Sequence, residues 1–261
     1  MAIISYINGW IILDKQSGMT SRQAVSQISK ILNIKKIGHG GTLDPMATGV
    51  LPIAVGEATK CISFMQNKSK KYSFVIKWGQ KTDTDDAEGK ILENSNVRPT
   101  KDQIFKIMKF FTGRIYQKPP IFSAIKIDGD RSYKLARNNI FVKHEPRQVE
   151  IHQCILKKII NSDLAEFEVI CGKGTYVRSL ARDIAEKLNT KGHVISLRRH
   201  YVGDFGEKDT IFIDFFKEII HSPSILKKML PIEAVLDDIP ALALNEIEAR
   251  KLKLGQKIQF N

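Results

Sequence analysis

Apolar and polar positions alternate along this chain with two different periods. Lys70-Lys71-Tyr72-Ser73-Phe74-Val75-Ile76 alternates every second residue and predicts a strand with Tyr72, Phe74 and Ile76 on one face. Trp10 to Asp14 predicts a short strand, Lys15 to Met19 a turn, and Thr20 the start of a helix with Gln23 placed for a capping box. Ala24, Val25, Ile28, Ile31 and Leu32 follow at helical spacing. Gly56 to Met65 reads as a helix. Thr100, again with Gln103 in capping position, opens another whose stripe is Ile104, Ile107, Met108 and Phe111, ending near Gly113. Val149, Ile151 and Ile155 predict a strand, and Phe167 to Cys171 a second. Leu180, Ala181, Ile184, Ala185 and Leu188 predict a helix, Gly192 to Arg199 a strand, and Ile211 to about Ile220 a last helix.

With 261 residues, 43% of them hydrophobic, the chain can form one large domain, or one and a small appendage, around a sizeable core. Lys and Arg number 41 against 28 Asp and Glu, a net charge of +13. That excess favours a polyanionic partner, nucleic acid before an anionic membrane. Cys61, Cys154 and Cys171 are odd in number, far apart and without a Cys-x-x-Cys, so neither a disulfide framework nor a zinc site is indicated. They read as buried, reduced thiols of a cytosolic protein. The apolar start, Met1 to Leu13, lacks the basic residues and cleavage site of a signal peptide. Apolar stretches of near ten residues are too short to span a bilayer.

Candidate chemistry concentrates in Gly38-His39-Gly40-Gly41-Thr42-Leu43-Asp44-Pro45-Met46-Ala47-Thr48-Gly49-Val50-Leu51-Pro52. Three glycines in four positions permit positive φ and close approach of a ligand to the backbone. Pro45 fixes the chain after Asp44 and pushes Asp44 out of the α region. A rigid loop presenting one carboxylate beside a histidine suits nucleophilic or acid/base chemistry, although Gly/Asp/Pro clusters more often mark plain turns. Leu43 stands where a dinucleotide loop needs Gly or Ala, and no Gly-Lys-Ser/Thr ends a phosphate loop. The Gly79–Gly89 segment is acidic but fails the calcium pattern at Ala87 and Glu88, and reads as a hairpin-like loop. Its Asp83-Thr84-Asp85 is weak support for a phosphatase. His144, His152, His193, His200 and His221 lack metal-ligand spacing. Lys118, Lys126, Arg131, Lys134, Arg137, Lys143 and Arg147 crowd one segment interleaved with aromatics, the composition of an RNA-gripping insertion. Lys173, flanked by glycines ahead of a helix start, is a weak anion site.

His39 to Pro52 resembles, without a gap, the catalytic motif of the bacterial tRNA pseudouridine-55 synthases, the TruB family. Lys173-Gly174-Thr175-Tyr176-Val177-Arg178 is a second match, and Gly192 to Arg199 a third. Asp14 to Ser21, Gly56 to Lys60 and the 79–89 loop are similar to weaker family segments. The resemblance implies an α+β fold with a mixed, largely antiparallel central sheet flanked by helices. The order of strands and helices read from the periodicity is compatible with that fold but does not specify it. It implies a catalytic Asp44 partnered by Arg178, an arrangement that keeps the carboxylate ionised. It assigns Tyr72 and Leu197 to sandwich the target base, Tyr176 to a pocket wall, and His39 to help hold the opened loop.

The implied activity is isomerisation of a uridine in the tRNA T loop, after base flipping, with no metal or cofactor. The partner is the T arm of tRNA, gripped by a thumb at about 118–147. The catalytic domain then runs over 1–238, and 239–261 is the truncated start of an RNA-binding appendage; a cytoplasmic monomer is expected. Arg198 and Arg199 are expected to add to the basic surface. Two other readings compete. A non-catalytic RNA-binding or tRNA-folding module would not need Asp44, Tyr72 and Arg178 together. A guide-RNA-dependent subunit would want a fuller C-terminal domain.

Overall fold

The computed structural model describes residues 7–138, 140, 142–219 and 228–258; His221 and the end of the helix expected to reach Ile220 lie outside them. Seven strands form the body of one mixed sheet: β1 (Gly9–Lys15), β3 (Thr48–Val55), β4 (Lys70–Trp78), β7 (Gly113–Gln117), β10 (Arg147–Ile159), β11 (Leu164–Cys171) and β12 (Gly192–Val202). Their spatial order is β1-β3-β12-β4-β11-β10-β7. The short strands β2 (Ile37–His39) and β13 (Phe205–Gly206) flank β3 and β12. All pairings are antiparallel except β12 with β3. Two hairpins stand outside this sheet: β5 (Gln80–Thr82) with β6 (Ile91–Asn94), and β8 (Lys126–Ile127) with β9 (Asp130–Arg131).

The period-two strands set the two faces. Tyr72, Phe74, Ile76 and Trp78 of β4 point to one side, where Phe167 stacks on Phe74 at 5.5 Å and meets Trp78 edge-on at 6.1 Å. Helices α1 (Ser21–Leu32), α3 (Lys101–Met108), α5 (Val177–Lys187) and α6 (Ile213–Ile219) cover this side. On the other side Trp10, Ile12, Val50, Ala54, Val202 and Phe205 pack with Ala58, Met65 and Val235. Strand β1 is buried along its whole length because both clusters draw on it.

The two expected capping boxes are present, Thr20 with Gln23 and Thr100 with Gln103. The expected helix from Gly56 is instead a 3-10 stretch, Gly56–Cys61, followed by α2 (Ile62–Asn67). The 118–147 segment holds the β8–β9 hairpin and α4 (Ser132–Arg137). Its buried residues include Val142 and a polar cluster in which His144 Nε2 lies 2.9 Å from Ser132 Oγ and 3.4 Å from Ser123 Oγ. Segment 228–238 is tied to the body by the Trp10–Leu230 bridge and by Lys68, which reaches Asp237 at 2.6 Å and Asp238 at 2.7 Å. Beyond it, α7 (Glu246–Lys253) buries none of its residues. Cys154 and Cys171 are buried thiols; Cys61 is only half-buried, contrary to the expectation for it. Among the described residues no helix is long and apolar enough to cross a membrane.

His144 and His193 are buried and both have depressed pKa values, with burial the first cause. The unfolded chain therefore binds more protons than the folded one below about pH 6.5, so stability is lost as pH falls through that range. Urea unfolding at pH 7.5 and pH 5 is expected to show that loss, and His144→Gln with His193→Gln to shrink it.

Candidate active site

Asp44 sits in the turn between β2 and β3, and side chains from the first strand, turn and helix hold the backbone around it. Ser21 Oγ, buried, accepts from Leu43 N at 2.8 Å and donates to Leu43 O at 3.0 Å. Lys15, fully buried, donates to Pro45 O at 3.1 Å, and also to Met19 O and Gln16 O. Gly18 N donates to Pro45 O at 2.9 Å and Ser17 Oγ to Met46 O at 3.1 Å. Every backbone carbonyl from Leu43 to Met46 thus has a donor, Asp44 O taking Ala47 N at 3.1 Å. Burial pushes Lys15 down to about 8, Asp44 opposing the shift.

The glycines serve packing more than ligand access. Of Gly38, Gly40 and Gly41, only Gly41 has a positive φ, +156°. A Cβ at Gly40 would stand 2.4 Å from Met65 Cγ of α2. Gly49, at φ +100°, is required more strictly: a Cβ there would lie 2.2 Å from the Arg199 carbonyl oxygen.

Arg178, in the first turn of α5 and 5% exposed, makes two parallel bonds to Asp44: Nε to Oδ2 at 2.8 Å and Nη2 to Oδ1 at 2.9 Å. This fork-to-fork geometry fixes the plane of the carboxylate. The same guanidinium donates to Thr84 O at 2.8 Å and Phe122 O at 3.0 Å, and lies 3.4 Å from Asp86 Oδ2. Burial works against its charge, and Asp44, Asp86 and Asp85 outweigh it, so its pKa moves up. The Asp44 side chain keeps 28% of its surface open, so the carboxylate is held but reachable.

The other expected site residues surround this pair. Tyr176 precedes α5, and its backbone exchanges two hydrogen bonds with the buried Gln117 amide, at 2.8 and 3.0 Å. Tyr72 is buried in the core cluster, directly opposite Arg199 in the β12–β4 register, while Leu197 is opposite Phe74. Leu197 and Arg199, two residues apart, share the face of Tyr72 and Phe74. His39 ends β2, and its buried Nδ1 has no hydrogen-bond partner among the described residues. Burial, then Arg199, lowers its pKa and favours neutral imidazole.

Arg199 corrects the reading of a basic surface. It is 1% exposed and donates to Val50 O at 2.7 Å and Gly41 O at 3.1 Å, with Thr42 O and the Tyr72 hydroxyl at 3.4 and 3.5 Å. Arg198 is partly covered, paired with Asp14 at 2.8 Å and Glu207 at 2.5 Å. The signal lay in the alternation itself, since period two from Leu197 sends Arg199 inward. Thr84 and Asp86 had no local signal of their roles. Lys60, exposed, pairs with Glu57 at 2.6 Å. Among the described residues no cluster of His, Cys, Asp and Glu could hold a metal ion.

The model of the TruB family pseudouridylate synthase N-terminal domain matches residues 29–177, and that of the tRNA pseudouridylate synthase B C-terminal domain matches 178–237. The tRNA pseudouridine synthase B of Bradyrhizobium diazoefficiens is 48% identical over 97% of this chain and 74% of its own length. That of Rhodospirillum rubrum is 45% identical over 97% of this chain and 82% of its own. Among solved structures, a Cbf5-Nop10-Gar1 complex contains a chain that superposes with TM-score 0.67 at 30% identity, over 87% of this chain and 61% of that one. An H/ACA RNP bound to a substrate RNA gives 0.64 at 28% identity, over 87% and 60%. This chain therefore spans about three-fifths of those longer ones. It belongs to the TruB family of tRNA pseudouridine synthases, isomerases that convert uridine to pseudouridine in tRNA, and its mixed sheet with flanking helices is the pseudouridine synthase fold.

Ser21→Ala leaves both polar groups of Leu43 without their side-chain partner beside Asp44. A loss of about 1–3 kcal/mol is expected in urea unfolding, with a fall in turnover and little change in tRNA affinity.

Proposed function

We propose that the enzyme isomerises the T-loop uridine at position 55 of tRNA, with Asp44 as the group that acts on the ribose of a flipped nucleotide. The bidentate Asp44–Arg178 contact carries this reading. A carboxylate fixed in its plane by a guanidinium and still partly open has the properties of a nucleophile at C1′ or of a base in an elimination. The N1–C1′ bond breaks, the uracil turns, and C5 bonds to C1′; C5 loses a proton and N1 gains one. The atoms balance with no redox partner or co-reactant, which supports a cofactor-free reaction.

The flipped base would lie between Tyr72 and Leu197, with Tyr176 as a further wall and neutral His39 holding the opened loop. Stacking worth roughly 1–3 kcal/mol per base offsets part of the few kcal/mol of unstacking. Residues 118–147 act as the thumb on the T arm. Arg178 reaches Phe122 O, while Ser179 Oγ and Arg182 Nη2 both donate to Lys118 O at 2.8 Å, so the base of that segment is joined to the catalytic helix. Residues 1–238 form the catalytic unit in this reading and 239–261 an RNA-contacting appendage. The enzyme works as a cytoplasmic monomer, which its free thiols suit.

Asp44→Asn keeps the shape of the site and removes the charge. Pseudouridine mapping by carbodiimide labelling and primer extension is expected to show a T-loop stop with wild type only. Affinity for tRNA should stay within about tenfold, because it rests on phosphate contacts. A stop with the variant, or an equal loss of binding, would contradict the assignment.

A further inference from the structure

Helix α3 turns Ile104 and Met108 into the core, so Lys101, Phe105 and Lys109, four residues apart, share its outer face. Phe105 is 54% exposed, with Lys101 Nζ 5.7 Å from its ring centroid. Phe110, 51% exposed, lies against two ammonium groups: Lys109 Nζ at 5.4 Å and Lys187 Nζ, from the end of α5, at 4.6 Å. Lys101 and Phe105 also face Leu156 to Ile159 of β10 across a groove of about 360 Å³, which adds Lys158. None of Lys101, Lys109, Lys158 and Lys187 has an ion-pair partner among the described residues, whereas Lys157 has Glu168 at 3.9 Å. The acids beside the band include Asp102 and Glu186, its neighbours in sequence, and Glu166, which stands opposite Lys158 in the β10–β11 register.

Exposed rings with ammonium groups around them, in a chain of net charge +13, fit a strand of bases and phosphates. The position fits as well. Helix α5 carries Arg178 near one end and Lys187 at the other, about 14 Å apart along the axis at 1.5 Å per residue. Helix α3 covers the same face of the sheet. The band and the Asp44–Arg178 pair thus share helix α5 and one side of the sheet. We propose that Lys101, Phe105, Lys109, Phe110, Lys158 and Lys187 form a second RNA-contact band that takes a part of the tRNA outside the T arm. This rests on the T loop being the reacting part.

Two variants of different chemistry test it: Phe105→Ala with Phe110→Ala, and Lys101→Gln with Lys109→Gln and Lys187→Gln. On full-length tRNA each is expected to raise KM about tenfold with kcat unchanged, while on an isolated T-arm hairpin KM stays at the wild-type value. The triple lysine variant should reduce the slope of log affinity against log salt by about 2 to 3. Hydroxyl-radical footprints on full tRNA should lose a protection outside the T arm and keep those within it. An unchanged KM on full tRNA, an equal rise on both substrates, or a footprint with no loss outside the T arm would overturn the proposal. Failure of wild type on the hairpin would count against the T-loop reading instead, and the footprint would still decide the band.

Discussion

The structure depends on one buried guanidinium. Arg178 is nearly without solvent, and a buried charge is tolerated only when its donors are taken up by well-placed acceptors. Its acceptors come from three separate places: Asp44 after β2, Thr84 and Asp86 in the loop before β6, and Phe122 beyond β7. Satisfying Arg178 therefore draws the Asp44 loop, the acidic loop and the base of the 118–147 segment onto the start of α5. Removing one partner of such a pair typically costs about 3–5 kcal/mol.

A second arginine works from the opposite side. Arg199 has carbonyls, not carboxylates, as its main acceptors, and it ties the glycine segment of the loop to β3 while lying beside Tyr72. Gly49 is the counterpart of this arrangement, since the two backbones approach too closely there for any Cβ. Lys15 and Ser21 complete the hold from beneath. Asp44 thus stands on a turn whose carbonyls are all engaged, and its carboxylate, gripped by Arg178, has little freedom left to lose.

The sequence made the local elements legible: the capping boxes at Thr20 and Thr100, the alternation of β4, and the helix after Thr175 all follow from short-range patterns. The strand order did not, because β12 lies between β3 and β4 through contacts more than 100 residues apart in the chain. Asp44 and Arg178 were found through a resemblance to a known family; spacing alone cannot pair residues separated by 134 positions. Arg199 was misread because a basic pair at a strand end looks like surface until the phase of the strand is counted. The 3-10 start at Gly56 was missed since an apolar stripe does not distinguish it from an α-helix.

The geometry of the Asp44–Arg178 pair, rather than its charge alone, is the central claim, and Arg178→Lys tests it most directly. Lysine keeps the positive charge but cannot make two parallel bonds. Single-turnover pseudouridine formation with saturating enzyme should fall at least a hundredfold while tRNA affinity changes by only a few fold. A rate near that of wild type would show that a nearby cation suffices and would contradict the account.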